Sequence, residues 1–105
     1  MENSDRRLVL LSPADNCLVV AQALRAGDEV TIEGLAVTVE RAVGVGHKLA
    51  RRPIARGEKV LKYGAIIGTA SAAIARGEHV HTHNLDSDYL PTYTLEEGRA
   101  FVPGR

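Results

Sequence analysis

Apolar and polar positions alternate along this chain only in short stretches, and glycine separates many of the stretches. Residues 30–32 and 35–39 flank Glu33-Gly34, a pattern that predicts two strands joined by a tight hairpin turn. Residues 8–11, 18–20, 48–50, 60–63, 66–67 and 80–85 are further short β-favouring runs. Ser12-Pro13-Ala14-Asp15 reads two ways, as a turn before a strand or as the cap of a helix running to Leu24. Residues 70–75 predict a single helical turn. The predicted class is therefore mainly β, with one or two short helical turns.

An internal repeat punctuates these strands. Leu24-Arg25-Ala26-Gly27-Asp28-Glu29-Val30, Ile54-Ala55-Arg56-Gly57-Glu58-Lys59-Val60 and Ile74-Ala75-Arg76-Gly77-Glu78-His79-Val80 share one form: apolar, two residues, glycine, acid, any residue, valine. Glycine supplies a positive-φ turn, the polar residue after it stays wet, and valine opens a strand. Each copy predicts a tight corner that delivers the chain into β structure. The glycine spacings of 30 and 20 residues are too irregular for a solenoid.

Composition narrows the class. A chain of 105 residues makes one small domain, large enough for one core but not for a core plus a deep enclosed site. The predicted layout is an N-terminal segment 1–7, a β domain 8–85, and a tail 86–105. In the tail, Tyr89, Leu90, Tyr93, Leu95 and Phe101 lie among acids, as in either a partner-binding arm or a frayed terminus. Cys17 is the one cysteine, which excludes an internal disulfide. The charged start does not read as a signal peptide, and the longest uncharged run, residues 63–75, is too short to span a membrane. A cytoplasmic location is expected.

The formal net charge is zero, yet it sums three blocks. Residues 28–40 carry −4, residues 41–62 carry +6, and residues 78–97 carry −5. The basic middle is either an anion-attracting surface or the partner of acidic strands across a sheet. Nucleic acid is not the expected ligand, since Tyr63 is the lone aromatic in or beside that segment.

Two segments can carry chemistry. His79, His81 and His83 stand at alternate positions, so a strand would present them on one face. Neutral imidazoles are good transition-metal ligands, but an extended strand spaces such residues about 7 Å apart. Two ligands are then the ceiling unless the strand is broken. Asn84 follows and can orient a carboxylate or hydroxyl. Gly44-Val45-Gly46-His47-Lys48, with Lys62-Tyr63-Gly64, suggests a site for a small carboxylated molecule. No nucleophile emerges, because Cys17 heads an apolar run.

These same residues carry a family resemblance. Gly46-His47-Lys48-Leu49-Ala50, Lys62-Tyr63-Gly64, Ile67-Gly68-Thr69-Ala70 and His79-Val80-His81-Thr82-His83-Asn84, preceded by Asp15-Asn16-Cys17-Leu18-Val19-Val20-Ala21, closely resemble the SAF-type domain of the altronate and galactarate dehydratases. The resemblance implies a β-clip fold. It also implies a divalent metal, Fe2+, held mainly by a large partner subunit, and elimination of water from a small hydroxy acid. The chain is then expected to be the small subunit, inactive without the large one and able to form homo-oligomers when isolated. A related alternative is the small subunit of a sulfolactate sulfo-lyase, which expels sulfite; another is a non-catalytic ligand-binding or assembly module. In this reading His81 and His83 act as acid/base groups or metal contacts, and His47, Lys48, Lys62 and Asn84 bind substrate.

Overall fold

The structure, a computed structural model, describes residues 5–87. These residues form nine strands and no helix: β1 (Leu8–Val9), β2 (Cys17–Val20), β3 (Glu29–Ile32), β4 (Leu35–Thr38), β5 (Lys48–Ala50), β6 (Lys59–Lys62), β7 (Ala65–Ala70), β8 (His79–Val80) and β9 (Leu85–Ser87). Every pairing is antiparallel. The strands make a sheet β1-β2-β5-β8, a hairpin β3-β4, and a sheet β6-β7-β9. This all-β arrangement of small sheets is that of the expected β-clip.

The organising element is the glycine corner, of which the described residues hold four. The pattern that contains an acid misses Val43-Gly44-Val45-Gly46-His47-Lys48-Leu49, which folds like the other three. Gly27, Gly46, Gly57 and Gly77 have φ of 93, 89, 88 and 81°, which an L side chain tolerates poorly. In each corner the residue after glycine donates its N–H to the carbonyl three positions back: Asp28 to Arg25, His47 to Gly44, Glu58 to Ala55, Glu78 to Ala75. Asp28, Glu58 and Glu78 then use their carboxylates to accept the N–H of Arg25, Ala55 and Ala75. His47 replaces that carboxylate in the remaining corner.

The corners reveal a duplication. Leu24 bridges to Val43, and Ile54 bridges to Ile74. The Gly27–Val39 and Val39–Asp28 backbone bonds recur as Gly57–Ala70 and Ala70–Glu58. Likewise Gly46–Val20 and Val20–His47 recur as Gly77–Ala50 and Ala50–Glu78. A register shift at Val60/Leu61 marks the irregularity that changes the offset between the copies from 30 residues at Gly27 and Gly57 to 31 at Gly46 and Gly77. Each copy buries its own core. Val20, Leu24, Val30, Val39, Val43 and Leu49 pack in the first, and Ala50, Ile54, Val60, Ala70, Ile74 and Val80 occupy the same places in the second. The shared sheet, through β2-β5 and β5-β8, joins the two.

Both hairpin turns also match. Glu33-Gly34 and Tyr63-Gly64 have positive φ at both positions, the geometry that joins twisted strands through two residues. Buried Asp15 fixes the second turn, accepting the N–H of Tyr63 and of Gly64 at 2.7 Å each. Asn16, also buried, brackets β6 by accepting from Leu61 N–H and donating to the Lys59 carbonyl.

Three local expectations change. Residues 70–75 form a bend and the Ile54–Ile74 bridge, not a helical turn, because corner pairing claims their backbone groups. Residues 12–15 form a turn closed by Asp15 N–H on the Ser12 carbonyl, and the chain continues into β2 and not into a helix. The strand expected over 80–85 is broken: β8 ends at Val80, a turn follows, and β9 starts at Leu85. β9 pairs with β7 and runs to Ser87. The tail residues Tyr89, Leu90, Tyr93, Leu95 and Phe101 lie outside the described residues. Among the described residues no helix is long and apolar enough to cross a membrane.

Candidate functional site

The pairing of β5 with β8 sets Lys48 opposite Val80 and Leu49 opposite His79. One residue beyond the paired stretch, His47 and His81 face one another. Their ring centroids are 5.4 Å apart, and the His47 and His79 rings are 5.1 Å apart. His47 Nδ1 lies 3.1 Å from His79 Nε2. One nitrogen of each of His47, His79 and His81 falls within 4.8 Å of the others.

The broken strand makes this convergence possible. Asn84 is buried, and its Oδ1 accepts the His81 N–H while its Nδ2 donates to the His79 carbonyl. The Asn84 N–H closes the same turn on the His81 carbonyl. Such a side-chain-to-backbone grip competes with the sheet ladder and curls the chain after Val80. His79 and His81 consequently stack, 5.3 Å apart and 7° from parallel, closer than an extended strand allows. His83 is carried round the turn to 5.9 Å from His79.

The third member of the cluster is thus His47 from the other copy of the duplication, and not His83. The segment 79–83 supplies two members of the cluster, His79 and His81, and the third comes from across the sheet. Asn84 has both ends of its amide engaged by backbone within the turn. Lys48 stands on β5 and Lys62 at the end of β6, and neither belongs to the imidazole cluster. Cys17 is buried, donates to the Leu61 carbonyl, and has its pKa raised to about 11, first by burial and then by Asp15. It is a packing residue.

A groove of about 120 Å³ adjoins the cluster, lined by residues 37–41 on one side, residues 75–79 on the other, and His83. Arg41 and Arg76 line it, and sequence reading singled out neither. The one signal for Arg41 was its place at the head of the basic block. Within this region His79 is held below the ordinary imidazole pKa, first by burial and then by the neighbouring charges of His47, His81, His83 and Arg41.

The donor set fits a divalent transition metal. Two nitrogens bound to one ion at 2.0–2.1 Å sit roughly 3.0–3.4 Å apart, and the His47–His79 pair already meets that separation. His81 is exposed, so its ring can turn toward the pair. The depressed pKa of His79 favours the neutral form that a ligand requires. Three imidazoles leave further coordination positions open.

The sequence profile described as the altronate/galactarate dehydratase SAF domain matches residues 6–88. An altronate dehydratase of Escherichia coli is 47% identical over 70 residues, covering 67% of this chain and 14% of that protein. An altronate dehydratase of Bacillus subtilis is 32% identical over 79 residues, covering 75% of this chain and 16% of that protein. The (2R)-sulfolactate sulfo-lyase subunit alpha of Chromohalobacter salexigens is 39% identical over 74 residues, covering 65% of this chain and 79% of that protein. The chain therefore corresponds to a small fraction of the dehydratases and to most of the sulfo-lyase subunit. With its profile match spanning nearly all the described residues, the chain belongs to the altronate/galactarate dehydratase SAF-domain family.

Proposed function

We propose that this chain is the small subunit of a metal-dependent hydroxy-acid dehydratase and forms one wall of an active site completed by a large catalytic subunit. The observation that carries the reading is the three-imidazole cluster at the edge of a groove that His83 also lines. His47, His79 and His81 would hold the divalent metal, which when bound would supply Lewis-acid stabilisation of the negative charge that develops on the substrate. β-Elimination breaks a carbon–hydrogen and a carbon–oxygen bond, so one group takes the proton and another protonates the departing hydroxide as water. His83 lies outside the three-nitrogen cluster and in the groove, where an imidazole can carry one of those protons. Asn84 keeps the imidazoles in place by fixing the turn.

The sulfo-lyase relative favours a second reading, because the match spans most of that subunit. The chemistry is the same except that sulfite leaves in place of hydroxide. Copurification with the large subunit, iron loading, and assays of altronate, galactarate and sulfolactate decide between them. Release of water supports the first reading and release of sulfite the second. Inactivity of the reconstituted complex on all three overturns both. In an active complex His83→Ala is expected to lower kcat about a hundredfold with metal content unchanged.

A further inference from the structure

We propose that Arg41 and the groove it lines form a subsite for an anionic end, carboxylate or sulfonate, of the hydroxy acid whose reacting carbon sits at the histidine cluster. This deepens the reading above and rests on it. Three observations carry it. Arg41 lines the same groove as His79, a member of the cluster, and His83. Arg41 is exposed and has no hydrogen-bonding or ionic partner among the described residues, whereas Arg7, Arg51 and Arg52 are each paired with a carboxylate. Of the groove's other charged groups, Glu78 and Arg76 are partly committed. Glu78 accepts the Ala75 N–H, and Arg76 spends its Nε on the Arg51 carbonyl, leaving its terminal nitrogens.

Chemistry selects the ligand class. A planar guanidinium holds a carboxylate or sulfonate through two parallel hydrogen bonds, which fixes orientation as well as charge. Thr38 and Glu40 stand beside Arg41 along the same wall and suit the hydroxyls of a short polyhydroxy chain. A groove of about 120 Å³ is of a size for a small molecule. One end of the acid at the cluster and an anionic end at Arg41 would set the register of the carbon chain.

The test is calorimetric titration of the full cobalt-loaded chain with galactarate, sulfolactate and the uncharged polyol galactitol. Wild type is expected to bind one or both anions, and Arg41→Gln to weaken that binding about tenfold, the loss of one charge-assisted contact. Arg41→Lys should fall between, and cobalt uptake should not change. Galactitol should not distinguish the variants. Arg41-dependent binding of sulfolactate with no Arg41 dependence for galactarate assigns the subsite to a sulfonate; Arg41-dependent binding of galactarate assigns it to a carboxylate. Equal anion affinity in wild type and Arg41→Gln, or no anion binding by wild type, overturns the subsite and leaves the metal reading standing. Arg41-dependent binding by a chain that takes up no cobalt keeps the subsite and overturns the metal reading.

Discussion

His47 Nδ1 and His79 Nε2 lie 3.1 Å apart although 32 residues separate them. That contact spans the two copies of the internal duplication, and with His81 it creates a three-nitrogen donor set. His47→Ala, His79→Ala and His81→Ala are each expected to weaken Co2+ binding at least tenfold, read from the visible absorption of the bound ion. His83→Ala should leave it unchanged. Uptake should also decline in acid, because each ligand must be neutral.

Asn84 is the structural counterpart of that site. Its buried amide satisfies the His81 N–H and the His79 carbonyl, so Asn84→Ala strands one donor and one acceptor. A loss of about 2–3 kcal/mol is expected in urea unfolding. Asn84→Asp keeps the acceptor alone and should lose less.

Two equivalent glycines should respond differently to alanine. Gly46 and Gly77 both have left-handed backbone, which costs an L residue about 1–2 kcal/mol. A Cβ at Gly46 meets open space, whereas one at Gly77 runs into Val37 Cγ1 from the first copy. Gly46→Ala should show only the backbone cost. Gly77→Ala should exceed it by a further 1 kcal/mol or so, measured by thermal unfolding of the two variants side by side.

Acid should loosen the N-terminal edge first. Asp5 binds Arg7 through its side chain and accepts the Thr31 N–H, and its pKa is lowered from 3.8 to about 2, chiefly by Arg7. A carboxyl with a depressed folded pKa stabilises in full above its unfolded value and loses that contribution as pH falls toward the folded one. Stability should therefore drop by about 1–2 kcal/mol between pH 4 and pH 2. Asp5→Asn should remove that part of the acid dependence.

Much of the fold was legible because its signals are local. Gly27, Gly57 and Gly77 announce their corners, and Glu33-Gly34 its hairpin, through backbone demands that few residues meet. The fourth corner was hidden because His47 stands where the pattern asks for an acid. The duplication was hidden for the same reason, since three visible corners give spacings that look irregular. At the site, the histidines, Lys48 and Lys62 were visible by residue type, but their grouping was not. Alternation along residues 79–83 predicts a straight row, and only the buried amide of Asn84 curls it so that His47 joins. Arg41 was invisible as a site residue because its relation to the groove exists only after the two copies pack.

The His47 corner and the Glu78 corner were made to one plan, and they have diverged at one side chain. Where the second corner keeps a carboxylate to tie its own backbone, the first gives up that tie and turns an imidazole toward His79 and His81. Two identical halves would have offered only a matched pair of braces at this seam. Asymmetry between them sets an imidazole beside His79 where the repeat would have set a second carboxylate brace.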